Sequence, residues 1–176
     1  GAIERPPAGT AIALAIIRRH RLIETWLVDE LGYRWDEVHD EAEVLEHAIS
    51  DELERRIDIH LGHPTHDPHG DPIPTVDGEI TIPAARHLGD LEAGECGVVT
   101  RVSDADPELL QRLAQVRVVP GEHVAVTARD AASAVMFVAP TEHTDDDGGT
   151  DAGTAVAREG FAFGISALRH VWVVQG

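Results

Sequence analysis

The chain has 176 residues, a mass of 19.0 kDa, and 14 basic against 32 acidic side chains, for a formal net charge of −18. That length fits one medium domain or two small ones. The charge excludes a duplex-binding module acting by itself and a polybasic membrane-surface protein, because both need cationic surface. A hydrophobic content of 43% excludes disorder throughout. Every basic residue is arginine, and an acidic, lysine-free composition points to a halophilic cytosol, where salt screens self-repulsion. No apolar run reaches the roughly 18 residues of a membrane span. Cys96, the single cysteine, excludes a disulfide-stapled scaffold and reads as a small, half-buried residue. The expectation is a soluble, cytoplasmic protein with no membrane partner.

Pro6, Pro7 and Gly9 mark an opening loop, after which a helix is predicted from Thr10 to about Leu31, with Gly32 as a left-handed stop. Ile12, Ile16, Leu22, Ile23, Trp26 and Leu27 form its apolar stripe. A second helix is predicted as one continuous element from Asp36 to about Leu61, since Val38, Ala42, Leu45, Ile49, Leu53 and Ile57 recur at helical spacing. Two such helices pack as an antiparallel pair, and the apolar face they leave over is buried most economically in a homodimer. Residues 62–90, rich in Pro, Gly, Asp and His, read as linker-like.

Beyond them the pattern turns to strands: Glu95–Val102, Val116–Val119 with Val124–Thr127, Ala134–Val138, Ala155–Ala157 and Val171–Val174. A short helix, Pro107–Gln115, with Asp106 as N-cap, is inserted after the first of these. The polar stretch from Thr141 to Thr154 reads as a solvated loop. The fold class is α+β: a helical domain over residues 10–75, a linker over 76–90, and a small β-barrel over 91–176.

The chemistry concentrates on the second helix, where His39, Glu43, Glu46 and His47 share a face. On the first helix, His20 and Glu24 repeat the i, i+4 geometry. Packed antiparallel, the helices bring His20 and Glu24 against His39. This mixed nitrogen–oxygen donor set suits manganese(II), iron(II) or zinc(II). Periodicity leaves a solvated salt-bridge face as the other reading. His60, His63, His66 and His69 recur every three residues, but through a Pro/Gly-broken stretch that does not aim them as ligands. No nucleophile elbow, phosphate-binding glycine loop or His-Glu-x-x-His occurs, so no enzyme activity is expected.

Arg18-Arg19-His20-Arg21-Leu22-Ile23-Glu24, Val38-His39-Asp40-Glu41-Ala42-Glu43, Glu46-His47, Ser50-Asp51-Glu52 and Pro68-His69-Gly70-Asp71-Pro72-Ile73-Pro74 occur in order. Together they resemble the diphtheria toxin repressor (DtxR/MntR) family of metal-dependent transcription repressors, over about Thr10 to Pro74. The tail, with Gly94-Glu95, Val98-Val99-Thr100-Arg101-Val102, Asp106-Pro107 and Pro120-Gly121, is similar to the FeoA-like, SH3-like barrel that many of these regulators carry.

The resemblance implies a primary metal site at Glu43, Glu46 and His47, completed by ligands from a DNA-binding domain. It implies an ancillary site at His20, Glu24 and His39, with a barrel ligand for which Asp104 is the candidate. Glutamate at position 43 tilts the metal towards Mn(2+) while leaving Fe(2+) open. The same helices are expected to form the homodimer. Family members begin with a winged helix-turn-helix domain, and here the sequence opens almost at the helix that follows it. Operator DNA is therefore expected to be reached only through a domain this sequence does not contain. The expected function is the metal-sensing and dimerisation portion of a manganese/iron-dependent repressor of metal homeostasis. The alternative is a stand-alone metal-binding or interaction module.

Overall fold

The computed structural model describes residues 8–141 and 160–175. The chain divides into two compact units, Gly1–Pro83 and Ala84–Gly176. Among the described residues no helix is long and apolar enough to cross a membrane.

The first unit is built on α1 (Ala8–Leu31), which stops at Gly32 in the left-handed region (φ 73°) where a side chain would be strained. The expected continuous second helix is two helices, α2 (Val38–Glu46) and α3 (Asp51–His60). Ser50 causes the break. Its backbone is extended (φ −83°, ψ 159°) and its hydroxyl accepts the Leu53 N–H at 3.3 Å. Asp51, Glu52 and Glu54 then place negative charge on the first turn of α3, the end that favours it. Apolar spacing continues through the break because both helices pack on α1, although Leu53 ends up 41% exposed.

Ile23, Leu27, Val38 and Ala42 form one core cluster, and Leu22, Ile57 and Ile73 another; Trp26 and Ile49 pack against both. Ile49, in the turn between α2 and α3, thus joins the two clusters. Ile12, Ile16, Val44 and Ile59 remain exposed.

The segment expected to be linker-like is, up to Pro74, ordered against α1. Arg18 donates to the Pro74 carbonyl at 2.8 Å, and Arg21 to the Pro72 carbonyl and to Asp71. The guanidinium groups satisfy the Pro72 and Pro74 carbonyls, so a Pro/Gly-rich stretch becomes part of the unit.

The second unit is one antiparallel sheet: β1 (Arg86–His87), β2 (Cys96–Val102), β3 (His123–Asp130), β4 (Val135–Pro140), β5 (Phe161–Gly164) and β6 (Val171–Val174), in the order β1-β6-β2-β3-β4-β5. Among the described residues no ladder joins β1 to β5, so the sheet is open along its pairing and not a closed barrel.

Helix α4 (Pro107–Gln115) starts as expected, with the Asp106 carboxylate accepting the Leu109 N–H at 3.1 Å. Leu109, Leu110 and Leu113 bury its apolar face. The expected strand Val116–Val119 is instead a turn closing α4, in which Arg117 takes φ 59° and Val118 N–H bonds the Leu113 carbonyl at 2.9 Å. The expected strand Ala155–Ala157 and the aspartates at 145–147 lie outside the described residues. Cys96 is exposed, not half-buried, at the start of β2.

Candidate metal centre

On α1, His20 and Glu24 lie one turn apart on the face that α2 covers, and α2 runs back along α1 so that its His39 meets Glu24 while its Glu46 meets His20. His20 Nε2 lies 3.0 Å from Glu24 Oε1 and 3.2 Å from His39 Nδ1. His39 Nδ1 lies 3.3 Å from the same carboxylate oxygen. The ligand atoms of these three residues all fall within 4.8 Å of one another. Two ring nitrogens this close repel unless a proton or a cation stands between their lone pairs. The other face of the His20 ring is held by Glu46, whose Oε2 lies 2.8 Å from Nδ1; its Oε1 is 3.3 Å from His47 Nε2.

The remaining expected ligands are placed differently. The side chain of His47 is 72% exposed, and Glu43 is exposed one turn before it on α2. Among the described residues Glu43, Glu46 and His47 are not gathered into a ligand-atom cluster as the other three are. Asp104 belongs to the second unit, half-buried in the turn between β2 and α4.

His69, one of the series through the Pro/Gly-broken stretch that was not expected to be aimed as a ligand, is 1% exposed and lies next to the cluster, against Glu24. Its Nε2–H donates to the Trp35 carbonyl at 2.7 Å and its ring stacks on Trp35. Nδ1 is left without a hydrogen-bond partner, 3.8 Å from Glu24 Oε2. Asp67, also buried, accepts the backbone N–H groups of His69 and Asp71, both at 2.9 Å. A signal was present in the run Asp-Pro-His-Gly, since an Asp bonded to backbone two residues on sets a turn and so can aim the His between.

Burial works against the Glu24 carboxylate, but the hydrogen bond from His20 and the nearby charges of His20 and His69 outweigh it and hold its pKa at about 2. Burial likewise opposes the charged form of His69, yet Glu24, the Trp35 carbonyl and Asp67 raise its pKa to about 9. His20 is raised too, against its own desolvation, by Glu24 and then Glu46. Asp67 is pushed up to about 7 by burial, and by the charges of Glu24 and Asp71. One buried carboxylate thus sits among imidazoles that favour its ionised form, an arrangement equally able to hold a divalent cation.

A helical unit presenting a two-imidazole, one-carboxylate cluster, joined in sequence to a small antiparallel sheet unit, is an arrangement suited to a metal-dependent regulator. Residues 7–75 match the family model "Iron dependent repressor, metal binding and dimerisation domain", and residues 86–138 match the FeoA domain. A solved structure described as a manganese-dependent transcriptional repressor in complex with manganese superposes with a TM-score of 0.82 at 46% identity, covering 97% of this chain and 74% of that one. A second solved manganese-dependent transcriptional repressor gives a TM-score of 0.79 at 45% identity, covering 97% of this chain and 86% of that one. The iron-dependent repressor IdeR of Mycobacterium leprae is 36% identical over 149 residues, covering 77% of this chain and 64% of that protein. The chain belongs to the diphtheria toxin repressor family of metal-dependent regulators. It spans a little under two thirds of the length of that mycobacterial relative.

Proposed function

We propose that this chain is the metal-sensing and dimerisation portion of a manganese- or iron-dependent transcriptional repressor that controls metal homeostasis. The observation that carries this reading is the convergence of His20 Nε2, Glu24 Oε1 and His39 Nδ1. Two imidazoles and a carboxylate without thiolate suit Mn(2+) or Fe(2+). The fit is supported by the close His20 and His39 nitrogens and by the buried His69 Nδ1 that has no partner.

In this reading residues 10–75 form the sensing domain, residues 76–90 a linker and residues 91–176 the FeoA-like domain. His20, Glu24 and His39 hold one cation. Glu43, Glu46 and His47 contribute to a second position completed by a DNA-binding domain. A bound cation supplies positive charge that ties α1 to α2. The chain's own residues do the rest: Glu24 orients both imidazoles, and Glu46 joins His20 to His47. The exposed Ile12, Ile16, Val44 and Ile59 support a homodimer through the helical domain. Operator DNA is contacted through a winged-helix domain, and the role is regulatory, not catalytic.

Calorimetric titration of chelator-treated protein with Mn(2+) tests the reading. Saturable binding is expected, weakened at least tenfold in His20→Ala or Glu24→Gln by loss of a direct ligand, which costs no less than loss of an outer-shell partner, about 10–100-fold. A wild-type protein that takes up neither Mn(2+) nor Fe(2+) would sink it.

A further inference from the structure

A cleft of about 440 Å³ opens in the first unit between the amino-terminal half of α1, the first turns of α3 and the turn at residues 75–78. Small-molecule sites commonly measure about 300–1,000 Å³. Ala11 and Ala15, one turn apart on α1, leave an apolar wall, to which Val76, 85% exposed, adds at the mouth. Glu54 and Asp58 recur at helical spacing on α3 and place carboxylates on the other side. The cleft shares no residue with the His20–Glu24–His39 cluster.

Arg18 is the most buried of the lining residues, at 8% exposed. Its Nη1 donates to the Pro74 carbonyl and its Nη2 pairs with Asp58, but its buried Nε–H has no hydrogen-bond partner. Glu54 Oε1 lies 3.7 Å from that nitrogen, beyond hydrogen-bond reach. Glu54 is held there, because its Oε2 accepts Arg19 Nε at 2.7 Å. A buried donor and a carboxylate oxygen thus face each other across a gap that neither can close.

The gap selects a chemistry. A hydroxyl fits it, since its oxygen accepts the Arg18 Nε–H while its own proton goes to Glu54 Oε1. An anion finds no free guanidinium, because Arg18 is paired with Asp58, Arg19 with Glu54 and Arg55 with Glu52. An ammonium carries donors only and leaves the Nε–H unmet. We propose that this cleft binds a small uncharged polyhydroxylated molecule, of the polyol or sugar class. One hydroxyl is set between Arg18 Nε and Glu54 Oε1, and the carbon skeleton lies against Ala11, Ala15 and Val76. The proposal does not depend on the metal-sensing reading. Occupancy ties α1 to α3 through the same arginine that anchors the loop at Pro74, and so stabilises the unit by mass action.

The test titrates the full chain with glycerol, sorbitol and glucose while backbone amide shifts are followed by nuclear magnetic resonance. At least one of the three is expected to give saturable shifts grouped at residues 11–19, 51–58 and 75–78. Ala15→Leu places a good helix former at an exposed position and fills the cleft, so the chain stays folded and affinity falls at least tenfold. Ala13→Leu adds the same side chain at an exposed position of α1 outside the cleft and is expected to bind as wild type does. Gluconate, which is sorbitol with one end oxidised to a carboxylate, is expected to bind at least tenfold more weakly than sorbitol.

Shifts that stay linear and spread over the whole chain with all three probes overturn the proposal, because water alone then bridges Arg18 and Glu54. Saturable binding that survives unchanged in Ala15→Leu overturns it by placing the site elsewhere. Gluconate binding as tightly as sorbitol overturns the uncharged class of ligand.

Discussion

His69 donates its Nε2–H to the Trp35 carbonyl at 2.7 Å, which fixes the ring so that Nδ1 faces Glu24 Oε2 at 3.8 Å. The backbone between α1 and α2 and the loop after α3 are thereby tied to the same carboxylate that His20 and His39 share. The floor of the candidate metal centre is built from a segment remote in sequence from α1 and α2.

His69 gives the metal-free protein a pH dependence of definite sign. Its folded-state pKa, about 9, lies above the ordinary histidine value of 6.5. The stability it contributes is complete below about 6.5 and is lost as pH rises towards 9. Asp67, raised from 3.8 to about 7, acts in the same direction over its own range. Denaturant unfolding in the presence of a chelator is expected to show stability falling between pH 6.5 and 9. His69→Gln, which keeps a donor for the Trp35 carbonyl, makes that slope shallower and leaves the part that His20 and Asp67 contribute. An unchanged slope in the variant would show that another group is responsible.

What the sequence disclosed and what it concealed divide along the range of the interactions involved. Gly32 and Asp106 were legible because each acts on its own helix end within three residues. The His20–Glu24–His39 cluster was legible because one helical turn and a short connection are enough to define it. His69 was not, because its burial depends on Arg18 and Arg21 anchoring Pro74, Pro72 and Asp71 from 50 to 56 residues away. The break at Ser50 was local, but apolar periodicity masked it: Ile49 keeps the stripe unbroken by packing on both core clusters. β1, the two polar residues Arg86 and His87, and β5, Phe161–Gly164 with its glycine, lack the run of β-branched residues that made the equally short β6 legible.

Ser50 is the sole side-chain cap of α3 among the described residues, with its hydroxyl on the Leu53 N–H. Ser50→Ala is expected to cost about 1 kcal/mol, read as a lower denaturant midpoint. Ser50→Gly should cost only a few tenths of a kcal/mol, because water reaches the freed N–H more easily. If Ser50→Ala is neutral, the acidic first turn of α3 sets the break instead.

Arg18 is buried between α1, α3 and the loop: Nη2 lies 2.9 Å from Asp58 Oδ2, and Nη1 donates to the Pro74 carbonyl at 2.8 Å. Arg18→Met keeps the volume of the stem but leaves Asp58 with His63 alone and the Pro74 carbonyl unbonded. Breaking one side of such a buried pair costs about 3–5 kcal/mol. The double variant Arg18→Met/Asp58→Leu is expected to recover part of that loss, since no charge then stays buried without its partner. Equal destabilisation of the single and double variants would place the cost in the Pro74 contact.

Metal should act on stability as well as on regulation. A cation that binds only the folded protein stabilises it by about 2.7 kcal/mol at a free concentration one hundred times its dissociation constant. Mn(2+) is therefore expected to raise the denaturant midpoint of the chain by that equivalent, and a chelator to reverse it. Mg(2+) at the same concentration should do far less, because two of the three converging ligand atoms are imidazole nitrogens and Mg(2+) prefers oxygen. Glu24→Gln should abolish the Mn(2+) effect and also lower stability without metal, since His20 and His69 both lose the carboxylate that favours their charged forms. Stabilisation by Mn(2+) that survives in Glu24→Gln would move the binding site away from this cluster.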